Sequence, residues 1–425
     1  MPFFGWDEEH LGTLRSSIQK FCEKELSREY VRWMDENCDF PPADLWKKLA
    51  DYGIFDRSQA GSPYDYIVIQ EEIATASVAV MIAIGAAISF GQGFIALLGT
   101  PDQRKEFLPK FANGEVKMCM ALTEPGGGTD ILNSLRTTAV EDGNYYVLNG
   151  QKIFITGAHV ADYIITIAIT DKNPARKTEA WSVFLAPANS PGLTIKKINK
   201  LGIHACGCAE IFYEDVRVPK ENLLGPKNMA YPILLGGKGG GASPKSGGAK
   251  SAGAGGHPEG GAKIDTEAMK AMAAGISILN AERVSTSLLS LGIAKAAYRD
   301  AFDYALQREA FGKPIGQFQI IQNYLVEMAM QIENARNLIY GTVALGLMGK
   351  AKESVLHAQM SKIVASRASE YCAIKGMEIL GGYGFTMEYD MQRYFRDYKQ
   401  MVFAPITDEM AINVIARLLG LPKSY

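Results

Sequence analysis

The stretch Met118-Cys-Met-Ala-Leu-Thr-Glu-Pro-Gly-Gly-Gly-Thr-Asp130 carries the residues best suited to holding a ligand. A strand-like apolar run stops at Thr123, and a turn of Glu124, Pro125 and three glycines follows. Proline presets one backbone angle and glycine tolerates positive φ, so the chain can turn sharply and approach a bound molecule closely. Thr123, Thr129 and exposed amides would face whatever lies against the turn. A hairpin turn without a ligand is the plainer reading of the same residues.

Two further constellations bear on chemistry. His204, Cys206, Cys208 and Glu210 alternate, so in a strand they would share one face and resemble metal ligands. No second ligand pair follows at metal-site spacing, so packing of small residues is expected there and no metal. Between Gly236 and Gly261, twelve of 26 residues are glycine and none is aromatic. Such a composition predicts a mobile loop, because it offers too little apolar surface to offset ordering. It does not complete a nucleotide motif. Gly237-Lys238 is followed by Gly239 where a phosphate loop needs Ser or Thr, and Pro258 stands at the third glycine position of a dinucleotide fingerprint.

The elements that must position these residues change type along the chain. Leu11, Leu14, Ile18, Phe21, Cys22 and Leu26 recur at helical spacing, and Pro41-Pro42 precedes a second helical run. Val78–Leu98 has no charge but contains Ser89, Gln92 and three glycines. It predicts a buried core helix, or two joined at a glycine break, rather than a membrane span. From about residue 116, short runs between turn signals predict strands: 144–148 before Asn149-Gly150, then 152–156, 163–169, 181–186, 193–196 and 210–216. Residues 276–308, 320–347 and 354–379 return to long helical patterns rich in good helix formers.

The bulk properties fit a soluble globular chain. It has 425 residues, 47% apolar and 21% charged, and a net charge of −2. No global field points to nucleic acid or an anionic membrane. Six scattered cysteines read as reduced thiols of a cytoplasmic protein, or a mitochondrial matrix protein in a eukaryote. The acidic N-terminus reads as neither a signal nor a transit peptide.

Five stretches together resemble the acyl-CoA dehydrogenase family. They are Ala121-Leu-Thr-Glu-Pro-Gly-Gly-Gly-Thr-Asp130; Leu148-Asn-Gly-Gln-Lys-Ile-Phe-Ile-Thr156; Phe212–Pro219 with Glu221-Asn-Leu-Leu-Gly225; Arg308-Glu-Ala-Phe-Gly-Lys-Pro-Ile315; and Gly381-Gly-Tyr-Gly-Phe385 with Arg396-Asp397. The resemblance implies an α+β fold: an N-terminal helical domain (1–115), a middle β-barrel or sandwich (116–228), a Gly-rich inserted loop (229–272) and a C-terminal four-helix bundle (273–425). It implies flavin adenine dinucleotide (FAD) between the β-domain and the C-terminal domain, an acyl-CoA substrate, electron-transfer flavoprotein as electron acceptor, and a homotetramer or homodimer. By family position, Met120, Leu122, Thr123 and Thr156 would line the flavin and Phe154 would stack on it. Arg308, Phe311, Gln319, Gly381, Gly382 and Thr407 would meet the rest of the cofactor. Arg308 alone reads equally as an exposed helix residue paired with Glu309 or Asp303.

The family's usual base is a Glu nine residues after the Arg of the Arg-Asp pair. Here that position is Pro405, which cannot take a proton. A minority, including isovaleryl-CoA dehydrogenase, carries the base on an earlier helix just before an arginine. Leu279-Asn-Ala-Glu-Arg283 resembles that arrangement and makes Glu282 the expected base, with Asn280 and Arg283 near the acyl-CoA and Thr129 near its pantetheine arm. An ordinary Glu in a first helical turn remains the alternative. Asp408 and Glu409 are lesser candidates. A catalytically altered acyl-CoA-binding flavoprotein or assembly partner, and an enoyl-CoA reductase running the chemistry backwards, remain open alternatives.

Overall fold

Helices begin where the sequence offers caps. In the computed structural model, which describes residues 5–56, 61–235 and 278–422, Asp7 accepts the His10 N–H and opens α1 (Glu8–Glu25). Ser27 opens α2 (Arg28–Asn37), Pro42 precedes α3 (Ala43–Asp51), and Ser62 with Asp65 forms a capping box on α4 (Pro63–Ala76). Leu11, Ile18, Phe21 and Cys22 are the buried stripe of α1. The glycine-rich stretch 236–261 lies outside the described residues.

Val78–Leu98 is helical throughout: α5 (Val78–Gly85), a π-helical stretch over Ala86–Gln92, and α6 (Gly93–Leu98). It is long and apolar enough to cross a membrane by composition, and 72% of its most apolar window is buried inside the protein. The expected glycine break is therefore a π-turn. Gly91 lies where a Cβ would come within 2.6 Å of the Phe111 ring on α7 (Pro101–Ala112).

Two units form. The first comprises Ala86–Ile198 and Cys208–Leu279. Its strands are β1 (Met118–Ala121), β2 (Thr138–Asp142), β3 (Tyr145–Thr156), β4 (Tyr163–Ile169), β5 (Trp181–Pro187), β6 (Leu193–Ile198), β7 (Cys208–Pro219) and β8 (Leu223–Leu224), with a short α8 (Ile131–Ser134) before β2. They make one sheet in the order β6-β7-β3-β2-β4-β5-β8, with β1 parallel beside β4. Alternation divides its core. Ile165, Ile167, Val183 and Leu185 pack with residues of α6, α7 and α9 (Ala230–Leu235), while Ile164, Ala168, Phe184 and Ala186 pack with Leu148, Ile211 and Val216.

The structure departs from the sequence reading at three places. Asn149-Gly150 is not a turn; the β2–β3 turn is at Gly143, and Gly150 sits at a register shift inside β3. Its glycine is required by close approach, since a Cβ would lie 2.5 Å from Thr137 Oγ1. The segment 229–272 does not begin as a loop, because α9 buries Ala230 and Leu234 in the core. His204 and Cys206 precede β7, so they do not share a strand face with Cys208 and Glu210.

The second unit comprises Met1–Gly85, Asn199–Gly207 and Asn280–Tyr425. It adds α10 (Ile278–Gln307), α11 (Gln319–Leu347), α12 (Ala351–Leu380), α13 (Met391–Phe403) and α14 (Asp408–Leu418). At its centre Glu71 of α4 is fully buried and accepts from Arg15 (3.1 Å), Tyr340 (2.6 Å), Lys295 (2.8 Å) and Arg336 (3.0 Å). Burial alone would raise its pKa, but Lys295, Arg336 and Arg15 overcome that and hold the carboxyl well below the usual range. The β6–β7 connection, Asn199–Gly207, belongs to this unit. Asp397 accepts the Ile203 N–H at 2.6 Å, Arg396 donates to Leu201 O at 3.3 Å, and the Gly207 N–H donates to Asp39 O at 2.5 Å. Gly202 permits this, since a Cβ there would lie 2.6 Å from Asp397 Oδ1.

Candidate active site

In the β unit, the end of β1 and the middle of β3 come together. The Ile153 N–H donates to Thr123 O at 2.9 Å. Leu122 is buried, while Met120 and Thr123 are partly exposed. The turn after them closes through the Gly127 N–H and Glu124 O (3.0 Å), and Ser134 Oγ donates to Gly127 O (2.8 Å). Thr129 is exposed at its far end.

Beneath this turn lies a buried ion pair. Lys152 Nζ is 2.9 Å from Glu124 Oε1 and 3.0 Å from Leu122 O. Glu124 also accepts the backbone N–H groups of Arg136 (2.6 Å) and Thr137 (2.9 Å). Burial pushes the Lys152 ammonium down to about 8, against the opposing pull of Glu124. Burial would raise the Glu124 carboxyl, but Lys152 and the Thr137 hydrogen bonds hold it below its ordinary value.

Two residues beyond Lys152 the strand is irregular. The β3–β7 register shifts between Lys152 and Ile155, and Phe154 takes a φ of +61°. A non-glycine residue in the left-handed region is strained, and such strain collects at functional sites. In a regular strand Phe154 would share the buried face of Lys152. The irregularity instead turns its ring outward, 63% exposed. Thr156 ends β3 partly exposed.

In the helical unit, the first described turn of α10 carries Asn280, Glu282 and Arg283. Asn280 Oδ1 accepts from Arg283 Nη1 (2.8 Å) and from Gln359 Nε2 of α12 (3.4 Å). The side-chain carboxyl of Glu282 has no hydrogen-bond partner among the described residues, although the residue is largely buried. Burial pushes that carboxyl up to about 7, opposed only in part by Arg283. A carboxylate that is unpaired and near neutrality in its pKa is poised to exchange a proton.

Arg308 follows α10. Its guanidinium lies 6.0 Å from the ring centroid of Tyr383, which follows Gly381 and Gly382 in one short 3-10 turn. It makes no ion pair with Glu309 or Asp303 among the described residues, so the exposed-pair alternative is not what the structure displays. Phe311, with a φ of +53°, is 96% exposed, and Gln319 opens α11. Thr407 Oγ1 accepts the Met410 N–H (3.2 Å) and caps α14. Asp408 is buried and accepts from Lys362 Nζ (2.5 Å) and Ser366 Oγ (2.9 Å). Those bonds tie α14 to α12 and take Asp408 out of the contest for the base. Glu409 is exposed. Sequence alone does not single out the Lys152–Glu124 pair, whose members lie 28 residues apart. The signal available was an unaccompanied lysine within an otherwise strand-like run.

Comparison with known proteins covers most of the chain. The acyl-CoA dehydrogenase N-terminal, middle and C-terminal domain models match residues 8–115, 119–216 and 272–420. The CarC subunit of the caffeyl-CoA reductase–Etf complex of Acetobacterium woodii is 32% identical over 96% of this chain and 97% of its own. Mouse mitochondrial short-chain specific acyl-CoA dehydrogenase is 33% identical over 95% of this chain and 88% of its own. The structure of butyryl-CoA dehydrogenase from Megasphaera elsdenii is similar with a TM-score of 0.79 and 29% identity, covering 96% of this chain and 97% of that one. The chain belongs to the acyl-CoA dehydrogenase family.

Proposed function

We propose that this enzyme carries out FAD-dependent α,β-dehydrogenation of an acyl-CoA thioester, with Glu282 as the base. The observation that carries the assignment is the Glu282 carboxyl, which has no hydrogen-bond partner among the described residues and is held by burial near neutral pKa. A general base works best with a pKa near the working pH. Glu282 removes the proton α to the thioester carbonyl. FAD, when bound, supplies the hydride acceptor that no side chain can be. Asn280 orients Arg283 through their 2.8 Å bond, and Arg283 offers its charge to the acyl-CoA.

The residues present suit such a cofactor. Phe154 offers an outward ring, Thr123 and Thr156 offer partly exposed polar groups, and Met120 and Leu122 supply an apolar margin. The Arg308 fork, which makes no ion pair among the described residues, can take two pyrophosphate oxygens, and Gly381 and Gly382 serve the same half of the cofactor. Phe311 and Gln319 serve the same end, Thr407 stands by the cap of α14, and Thr129 meets the pantetheine arm. The near-complete exposure of Phe311, with Ile320, Val326 and Met330 also exposed on α11, suits a homotetramer or homodimer. Electron-transfer flavoprotein is the proposed electron acceptor, and the cytoplasm or mitochondrial matrix the proposed compartment.

A second reading has the same chemistry in reverse, reduction of an enoyl-CoA. It is favoured by the name of CarC's complex and by the 3-(aryl)acrylate reductase of Clostridium sporogenes, 30% identical over 95% of this chain. A carboxyl near neutral pKa can deliver a proton to Cα as well as remove one.

Anaerobic mixing of the purified protein with a panel of saturated acyl-CoAs tests the first reading. Bleaching of the flavin band is expected, and no bleaching by any of them removes it. Glu282→Gln is expected to hold cofactor and ligand and to lose at least roughly a hundredfold in turnover. Near-wild-type turnover would overturn the assignment of the base.

A further inference from the structure

We propose that the buried pair Lys152–Glu124 is a positioning device for the flavin, which aims the Thr123 N–H at the ring. The proposal rests on the reading of this chain as a flavoenzyme.

A trans peptide is planar, so the C=O of one residue and the N–H of the next point in opposite directions. Lys152 Nζ draws the Leu122 carbonyl toward itself at 3.0 Å. The Thr123 N–H is thereby turned to the side away from Lys152. The next carbonyl, that of Thr123, is fixed by the Ile153 N–H at 2.9 Å. Both carbonyls of this short segment are therefore set by two consecutive residues of β3.

The ammonium is itself held in place. Glu124 Oε1 lies 2.9 Å from it, and the same carboxylate is fixed by the Arg136 and Thr137 N–H groups. Lys152 and Glu124 are 0% and 4% exposed, so neither is steadied by water. A buried ion pair is weak evidence for stability, because apolar residues of similar volume often serve as well. What apolar residues cannot do is hold a carbonyl in one direction. The same strand then breaks register and presents Phe154 outward. Lys152 and Phe154 thus set two parts of one surface, an aimed amide and an aromatic face.

The test uses the full chain stripped of FAD and titrated back, read by flavin fluorescence and by the visible band. Lys152→Met should weaken FAD binding at least tenfold and shift the band. Because that variant leaves a buried carboxylate without its partner, the neutral pair Glu124→Gln with Lys152→Met is made as well. It should keep a melting temperature close to wild type and still bind FAD at least tenfold more weakly. Folded variants with wild-type Kd and an unshifted band overturn the proposal, while leaving the flavoenzyme reading intact. Hydrogen exchange on the wild-type protein adds a measurement that needs no variant. FAD should slow exchange in the peptide spanning Thr123, and absence of that protection overturns the aim of the amide. Failure of the wild-type protein to bind FAD at all would overturn both readings together.

Discussion

The titration of Glu282 should govern both the rate and the stability of this protein. Burial lifts the carboxyl from 4.5 to about 7. At 1.36 kcal/mol per unit this is about 3 kcal/mol in favour of the protonated form, an upper value because the residue keeps some exposure. As a base Glu282 must be ionised, and the ionised fraction rises from about 0.1 at pH 6 to about 0.9 at pH 8. The value of kcat/KM should therefore climb close to tenfold over that interval. An ordinary exposed Glu would give a flat profile. The stability effect has a definite sign. Between about 4.5 and 7 the folded state holds a proton that the unfolded state releases, so the contribution of Glu282 is full below that window and lost as pH rises through it. Glu282→Gln should abolish the limb near 7 and raise the melting temperature at pH 8 relative to wild type, with little difference at pH 5. Steady-state rates with a dye acceptor from about pH 4 to about pH 8.5, alongside thermal melts at about pH 5 and about pH 8, read the two effects separately. A limb that persists in Glu282→Gln, or one below about pH 5 in the wild type, would refute the reasoning.

Other substitutions separate fold from function. Phe154→Gly relieves a left-handed residue and should stabilise the flavin-free protein by about 1 kcal/mol while weakening FAD binding, read by melting and flavin fluorescence. Arg308→Ala should leave the melting temperature unchanged and raise the FAD Kd roughly tenfold or more, the loss of a charge-assisted contact of about 1.5–3 kcal/mol. Asp408→Asn strands the buried Lys362 ammonium and should cost about 3–5 kcal/mol in urea unfolding, an effect on α14 rather than on proton transfer.

Much of the fold was legible because its signals are local. Tyr163–Ile169 reads as a strand from its own residues and is one, and the three long C-terminal helices lie within a few residues of their expected ends. Asn149-Gly150 was misleading because its glycine answers to Thr137, a residue of a neighbouring segment, and not to a turn. The candidate site divides the same way. Thr123, Phe154 and Glu282 stand out through family resemblance, but the outward ring of Phe154 depends on a register shift against β7. The raised pKa of Glu282 depends on what crowds around it. Lys152 looks like a strand lysine until Glu124 is brought beneath the turn. Properties that arise from pairing distant segments are not written in any one window of sequence.

The Glu71 cluster has a consequence for the order in which the chain can mature. Glu71 leaves the ribosome well ahead of Lys295 and Arg336, which are made more than two hundred residues later. Until then Arg15 is in place but Lys295 and Arg336 are not, so the nascent N-terminal helices carry a carboxylate that is only partly neutralised, beside an apolar surface awaiting α10. Domains generally fold as units during synthesis, and incomplete ones expose aggregation-prone surface. These N-terminal helices must wait until α10 and α11 have been made, so they should depend on chaperones while nascent, and a ribosome-stalled fragment ending before α10 should remain open to protease.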